Sequence, residues 1–173
     1  GDGPYEIQPG NAQYRGAKTS YDFSVTSCIF CNAARECNGW SRLPADSRRM
    51  FGENSNTRIA DVSDGTSNTI AVAETTFLVI NGEPNAWGYR GWVMEGVDVG
   101  NNLINQWGNL WTTPDVEKTG QMGSFSSCGS LHPGGAHVLL AGGSVQFLAE
   151  STDAIILEAL STMAGRETVS AEF

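Results

Sequence analysis

The side chains best equipped for chemistry are four cysteines and two histidines. Cys28, Cys31 and Cys37 cluster as Cys-x2-Cys-x5-Cys, and Cys128 stands far from them. An even set of thiols in a small, acidic, lysine-poor chain suits an oxidising compartment, where they pair as disulfides. A bridge from the 28–37 segment to Cys128 would close a loop of about 90 to 100 residues and stabilise the fold by about 3–5 kcal/mol on a chain-entropy argument. The competing use is a metal site made of Cys28, Cys31 and Cys37 with Cys128 or His132. A lone Cys-x2-Cys is half of a zinc pattern, and no second pair completes it. Asn32 rather than a histidine follows Cys31, which excludes covalent haem attachment.

His132 and His137 are five residues apart. On a single strand that odd separation points two side chains to opposite faces, so a metal shared by both is not expected. Cys128 and His132 would suit a thiolate–imidazole hydrolase. An extracellular thiol tends to oxidise, however, and a bridged Cys128 beside a structural His132 is the plainer arrangement. Asp61, Asp64 and Asn68 offer oxygen ligands within one loop, as calcium prefers. The loop lacks the twelve-residue calcium pattern and its bidentate glutamate, so a turn ahead of a strand is the simpler reading. No cofactor is expected, with calcium as the one alternative.

Trp87, Trp92, Trp107 and Trp111 are interleaved with Asn101, Asn102, Asn105 and Asn109, near Glu95 and Asp98. Flat indoles beside amides and carboxylates match a sugar face, which makes region 87–111 a candidate site for a glycan or other solute. Filling the core of a glycine-rich sheet is the competing use, since tryptophan is highly buried on average. No nucleophile elbow, phosphate loop, zinc-protease helix or dinucleotide fingerprint occurs. The chain is therefore read as non-catalytic.

The elements that must position these residues follow from composition and pattern. The chain has 173 residues, 40% hydrophobic and 17% charged, enough apolar material for one domain spanning 1–173. Glycine accounts for 21 residues, which favours turns over long helices. Ten basic against 19 acidic residues give a net charge of −9, so nucleic acid is excluded as a partner. No apolar run approaches the roughly 18 residues of a membrane span.

Residues 1–20 read as loop, Tyr21–Val25 as a short strand and Ala45–Met50 as a short helix with Asp46 near its start. Asp64-Gly65 marks a turn, and Thr69–Phe77 alternates as a strand with Ile70 and Val72 on one side. Short extended stretches are expected at Gly91–Met94 and Gln106–Trp111. Ala136–Ala141 and Ser144–Leu148 form a β-hairpin around Gly142-Gly143, read as a two-residue type I′ turn. Ser151 or Thr152 caps a helix over Asp153–Ala164 with an Ile156, Leu160 and Met163 stripe, which Gly165 ends. Glu167–Phe173 adds an edge strand. The fold class is α+β: an antiparallel sheet with a C-terminal hairpin and one C-terminal helix.

Two segments resemble a known family. One runs Arg58-Ile59-Ala60-Asp61-Val62-Ser63-Asp64-Gly65-Thr66-Ser67-Asn68-Thr69-Ile70 and ends near Glu74. The other runs Gly129-Ser130-Leu131-His132-Pro133-Gly134-Gly135-Ala136 and continues to Gly143-Ser144-Val145-Gln146-Phe147. They are similar to the planctomycete secreted proteins with a prepilin-type N-terminus, long catalogued as a domain of unknown function and in some catalogues labelled solute-binding. That family's C-terminal signature is a histidine, nine residues, then Asp-Gly. His132 matches, and Gly142 stands at the aspartate position, so a turn role suits that position better than a ligand role. The resemblance implies the soluble head of a pilin- or pseudopilin-like structural surface protein, exported to the periplasm, cell surface or medium. It further implies self-assembly or other pilin-like subunits as partners. Contact with a membrane would come through an N-terminal apolar helix absent from these residues.

Overall fold

The computed structural model describes residues 5–6, 15–16, 19–26, 40–52, 55–79, 96–108, 117–123 and 126–167. Along them run strands β1 (Tyr5–Glu6), β2 (Arg15–Gly16), β3 (Tyr21–Phe23), β4 (Ile70–Glu74), β5 (Leu78–Val79), β6 (Gln121–Met122), β7 (Gly135–Leu140) and β8 (Val145–Ala149), then helix α1 (Ala154–Ser161). The centre is an antiparallel sheet of order β3-β4-β7-β8. The α+β class expected from the pattern is what the structure has.

The sheet has two unlike faces because successive side chains alternate across it. Ala73, Ala136, Val138, Leu140 and Leu148 face inward. With Ile70, Val97, Val99, Ile104, Cys128 and the helix residues Leu157 and Leu160 they make one buried cluster. Burying each large aliphatic side chain stabilises by roughly 1.5–3 kcal/mol. On the outward face Phe23 pairs with Val72, Val72 with Leu139, and Leu139 with Val145. In the next row Tyr21 pairs with Glu74 and His137 with Phe147. Tyr21, Phe23, Val145 and Phe147 are exposed there.

Several expectations need correction. Ile70 and Val72 do not share a face: the register shifts between them, and Ile70 pairs with Leu140 on the buried side. A bulge of this kind adds a residue to one strand and resets its alternation. Residues 1–20 include the short antiparallel ladder β1–β2, too brief to carry a periodic signal. Ala45–Met50 is reduced to a 3-10 turn at Ala45–Ser47 that lacks a side-chain cap, with Arg48 already extended. So short a segment does not hold a helix by propensity alone.

Helix α1 is capped by Asp153 itself, whose side chain accepts from the Ile155 N–H at 2.8 Å. It ends at Ser161, before Gly165. The segment at Gln106–Gly108 and Glu167 is not strand. Gly91–Met94, residues 109–111 and residues 168–173 lie outside the described residues.

The hairpin forms, with a different turn. Gly143 N–H donates to Leu140 C=O and Leu140 N–H to Ser144 C=O, both at 2.9 Å. The loop is therefore three residues, closed by Gly143 at φ +93°, a type I turn followed by a left-handed residue. The cause is tertiary: Ala141 N–H donates to Thr69 C=O and Gly142 N–H to Thr66 C=O, each at 2.8 Å. Gly143 needs its positive φ. Gly142 does not, which suits a position where the resembling family carries aspartate.

Candidate functional site

Glu74 ends β4, and His137 stands opposite on β7, one step beyond the Ala73–Val138 pair. His132 lies on the loop before β7. Gly134, at φ +78°, and Gly135 turn the chain between the two histidines. The parity argument therefore does not govern them, and the expectation that they face apart is overturned. Their rings lie edge to face with centroids 4.8 Å apart. His132 Nε2 is 3.4 Å from Glu74 Oε1, and His137 Nδ1 is 3.4 Å from Glu74 Oε2. The three ligating atoms lie within 4.8 Å of one another.

The surroundings hold this cluster in place. Glu74 is buried, while the side chains of His132 and His137 are 54% and 39% exposed. The His137 backbone N–H donates to Glu74 Oε2 at 2.7 Å, and the Tyr21 hydroxyl reaches Oε1 at 3.4 Å. Ser130 fixes the loop: its hydroxyl donates to Gly135 C=O at 2.7 Å and accepts from the His132 N–H at 3.0 Å. Asn105 Oδ1 accepts from Ser130 N–H, and Gly129 N–H donates to the Glu74 carbonyl, both at 2.9 Å. Phe147 packs edge-on against the His137 ring at 5.1 Å. Two imidazoles and a carboxylate together offer lone pairs to a proton or a cation. Glu74 was legible in the sequence only as the end of a motif segment.

The other candidates fare differently. Cys128 is a free, fully buried thiol, so the expected bridge from the 28–37 segment to it is not made. It packs in the apolar cluster as a small hydrophobe. Burial, aided by the charge of Glu74, pushes its thiol up to about 12, which leaves no thiolate to pair with His132 as a nucleophile. Cys28, Cys31 and Cys37 lie outside the described residues.

The carboxylates of the calcium candidates Asp61 and Asp64 are engaged by other partners. Asp61 forks onto the exposed Arg58 guanidinium at 3.0 and 3.2 Å. That contact holds its carboxyl below the usual carboxylate range. Asp64 accepts from Gly165 N–H at 2.7 Å and Arg166 N–H at 2.8 Å, clasping the chain after α1. Asn68 donates to the Asp64 carbonyl. Of the tryptophans, Trp107 is half-buried; Trp87, Trp92 and Trp111 lie outside the described residues.

A second charged cluster was not foreseen. Buried Arg49 reaches Asp98 Oδ1 at 3.0 Å and Glu158 Oε2 at 2.6 Å. Burial works against the guanidinium's charge, and contacts with Glu158 and Asp98 more than restore it. Its members come from three distant stretches with no spacing to link them.

The fold and site define an α+β domain with a closed apolar side and a histidine–carboxylate cluster on the opposite side of its sheet. The chain belongs to the family described as "Protein of unknown function (DUF1559)", SBP_bac_10, whose model matches residues 8–154. No curated protein and no solved structure matches it. No helix among the described residues is long and apolar enough to cross a membrane.

Proposed function

We propose that the chain is the non-catalytic head domain of an exported, pilin-like surface protein of the planctomycete type. One observation carries this reading: the first motif segment braces the scaffold. The carbonyls of Thr66 and Thr69 hold the hairpin turn, and the Asp64 carboxylate clasps the backbone after α1. Motif residues used as braces suit a domain that displays a surface. The sealed Cys128 thiol supports the non-catalytic part of this reading, because a buried protonated thiol is no nucleophile.

The test is the N-terminal sequence of the full-length precursor, with fractionation of its host cells. A basic leader followed by an apolar helix of about 20 residues or more is expected, with the protein recovered from the sheared cell-surface fraction. An ordinary cytosolic start, with recovery from the cytosol, overturns the reading.

A further inference from the structure

We propose that Glu74, His132 and His137 form a binding site for a divalent transition ion of the zinc class. The argument begins with distance. A charge-assisted N–H···O bond spans about 2.7–2.9 Å, and each histidine nitrogen stands 3.4 Å from its carboxylate oxygen. Neither imidazole is drawn onto Glu74 by a short hydrogen bond. In a tetrahedral zinc site with bonds of about 2.0–2.1 Å, neighbouring ligand atoms lie about 3.3–3.4 Å apart. Each histidine nitrogen stands about that far from one oxygen of the Glu74 carboxylate, and one ligand atom from each of the three residues fits within 4.8 Å of the others, close enough for small side-chain shifts to seat one ion.

The chemistry of the donors agrees. Two imidazole nitrogens and one carboxylate suit zinc, copper, nickel or iron, whereas calcium and magnesium prefer sets made of oxygen alone. Supporting contacts are also present. The His137 N–H and the Tyr21 hydroxyl orient the carboxylate, and Ser130 and Asn105 fix the loop that carries His132. Such outer contacts set the aim of metal ligands. Half-exposed histidines give an ion a route in from solvent and leave a further coordination position facing it. Glu74 and His132 come from the two separate motif segments, so the cluster joins them at a second place besides the hairpin turn.

Isothermal titration of tag-free protein with zinc chloride tests the site. One ion per chain is expected, bound at micromolar affinity or tighter, with at least a tenfold loss in His132→Ala and in His137→Ala. Excess magnesium or calcium should not compete. His132 sits on an exposed loop, so His132→Ala remains informative even if His137→Ala folds poorly. Cobalt loading then reads the donor set: a spectrum without a thiolate charge-transfer band supports the proposal, and a thiolate band assigns the metal to cysteines and overturns it. Absence of zinc uptake by the parent protein, or undiminished affinity in both variants, also overturns it.

Discussion

Two clusters built around carboxylates are closed in different ways. In the first, the Arg49 guanidinium lies between Asp98 and Glu158, with contacts as short as 2.6 Å. A guanidinium is always charged and presents a rigid fork of donors, so the cation of this cluster is permanent. In the second, Glu74 faces two imidazoles at 3.4 Å, and among the described residues no guanidinium takes part. A buried carboxylate closed by arginine is a structural joint. One closed by histidines depends on what the histidines carry.

The sharpest way to test that contrast is to remove the guanidinium. Arg49→Met removes the guanidinium that pairs with the buried Asp98, while Glu158, with its side chain 46% exposed, stays solvated. Breaking one side of a buried ion pair costs about 3–5 kcal/mol, and urea unfolding should show a loss of that size. Adding Asp98→Asn to the variant should recover part of it. A loss below about 1 kcal/mol would mean that the Arg49 cluster is no joint, and the contrast would fail.

The two clusters also differ in how legible they were. The strands β4, β7 and β8 and the helix α1 announce themselves through local signals: alternation, a glycine pair and an apolar stripe, although the cap is Asp153 and not the expected Ser151 or Thr152. The clusters do not, because Arg49, Asp98 and Glu158 are brought together by tertiary folding alone. For the histidines, a local rule misled. Strand parity does not hold between them, because the chain turns at Gly134-Gly135. Cys128 misled for another reason. Its count and spacing suited a bridge, but a thiol also packs well as a small apolar group, and spacing does not distinguish the two.

Asp22 sharpens the contrast as a third case: a carboxylate with neither guanidinium nor imidazole among the described residues. Its Oδ1 accepts the Phe23 N–H at 2.8 Å, and its Oδ2 is buried with no hydrogen-bond partner. Burial raises its carboxyl above the usual range, the Phe23 N–H opposing the shift. A carboxyl raised in the folded state binds more protons folded than unfolded, so its contribution to stability falls as pH climbs from about 4 through the folded value. Asp22→Asn removes this penalty. The variant should match the parent at acid pH and exceed it by about 1 kcal/mol at neutral pH, an unsatisfied buried group costing about 1–3 kcal/mol. Unfolding curves at pH 4 and pH 7 check the sign. A variant weaker than its parent at pH 7 would show that the Asp22 charge is stabilised after all.

The smallest effect is expected at His132, in metal-free protein kept with a chelator. Its side chain is 54% exposed and touches Glu74 only at 3.4 Å, so losing it removes neither a tight hydrogen bond nor much buried area. The Ser130 contacts that shape its loop run through backbone groups and survive substitution. His132→Ala should change stability by no more than about 0.5 kcal/mol, as surface substitutions usually do. That near-silence carries weight beside the Arg49→Met loss. A joint must show itself in folding stability, while a ligating group shows itself only when something is bound. If His132→Ala instead costs more than about 1.5 kcal/mol without metal, the histidines hold the sheet to its loop much as Arg49 holds Asp98 to Glu158. Both clusters would then be joints, and the difference in their closure would be one of chemistry without a difference in role.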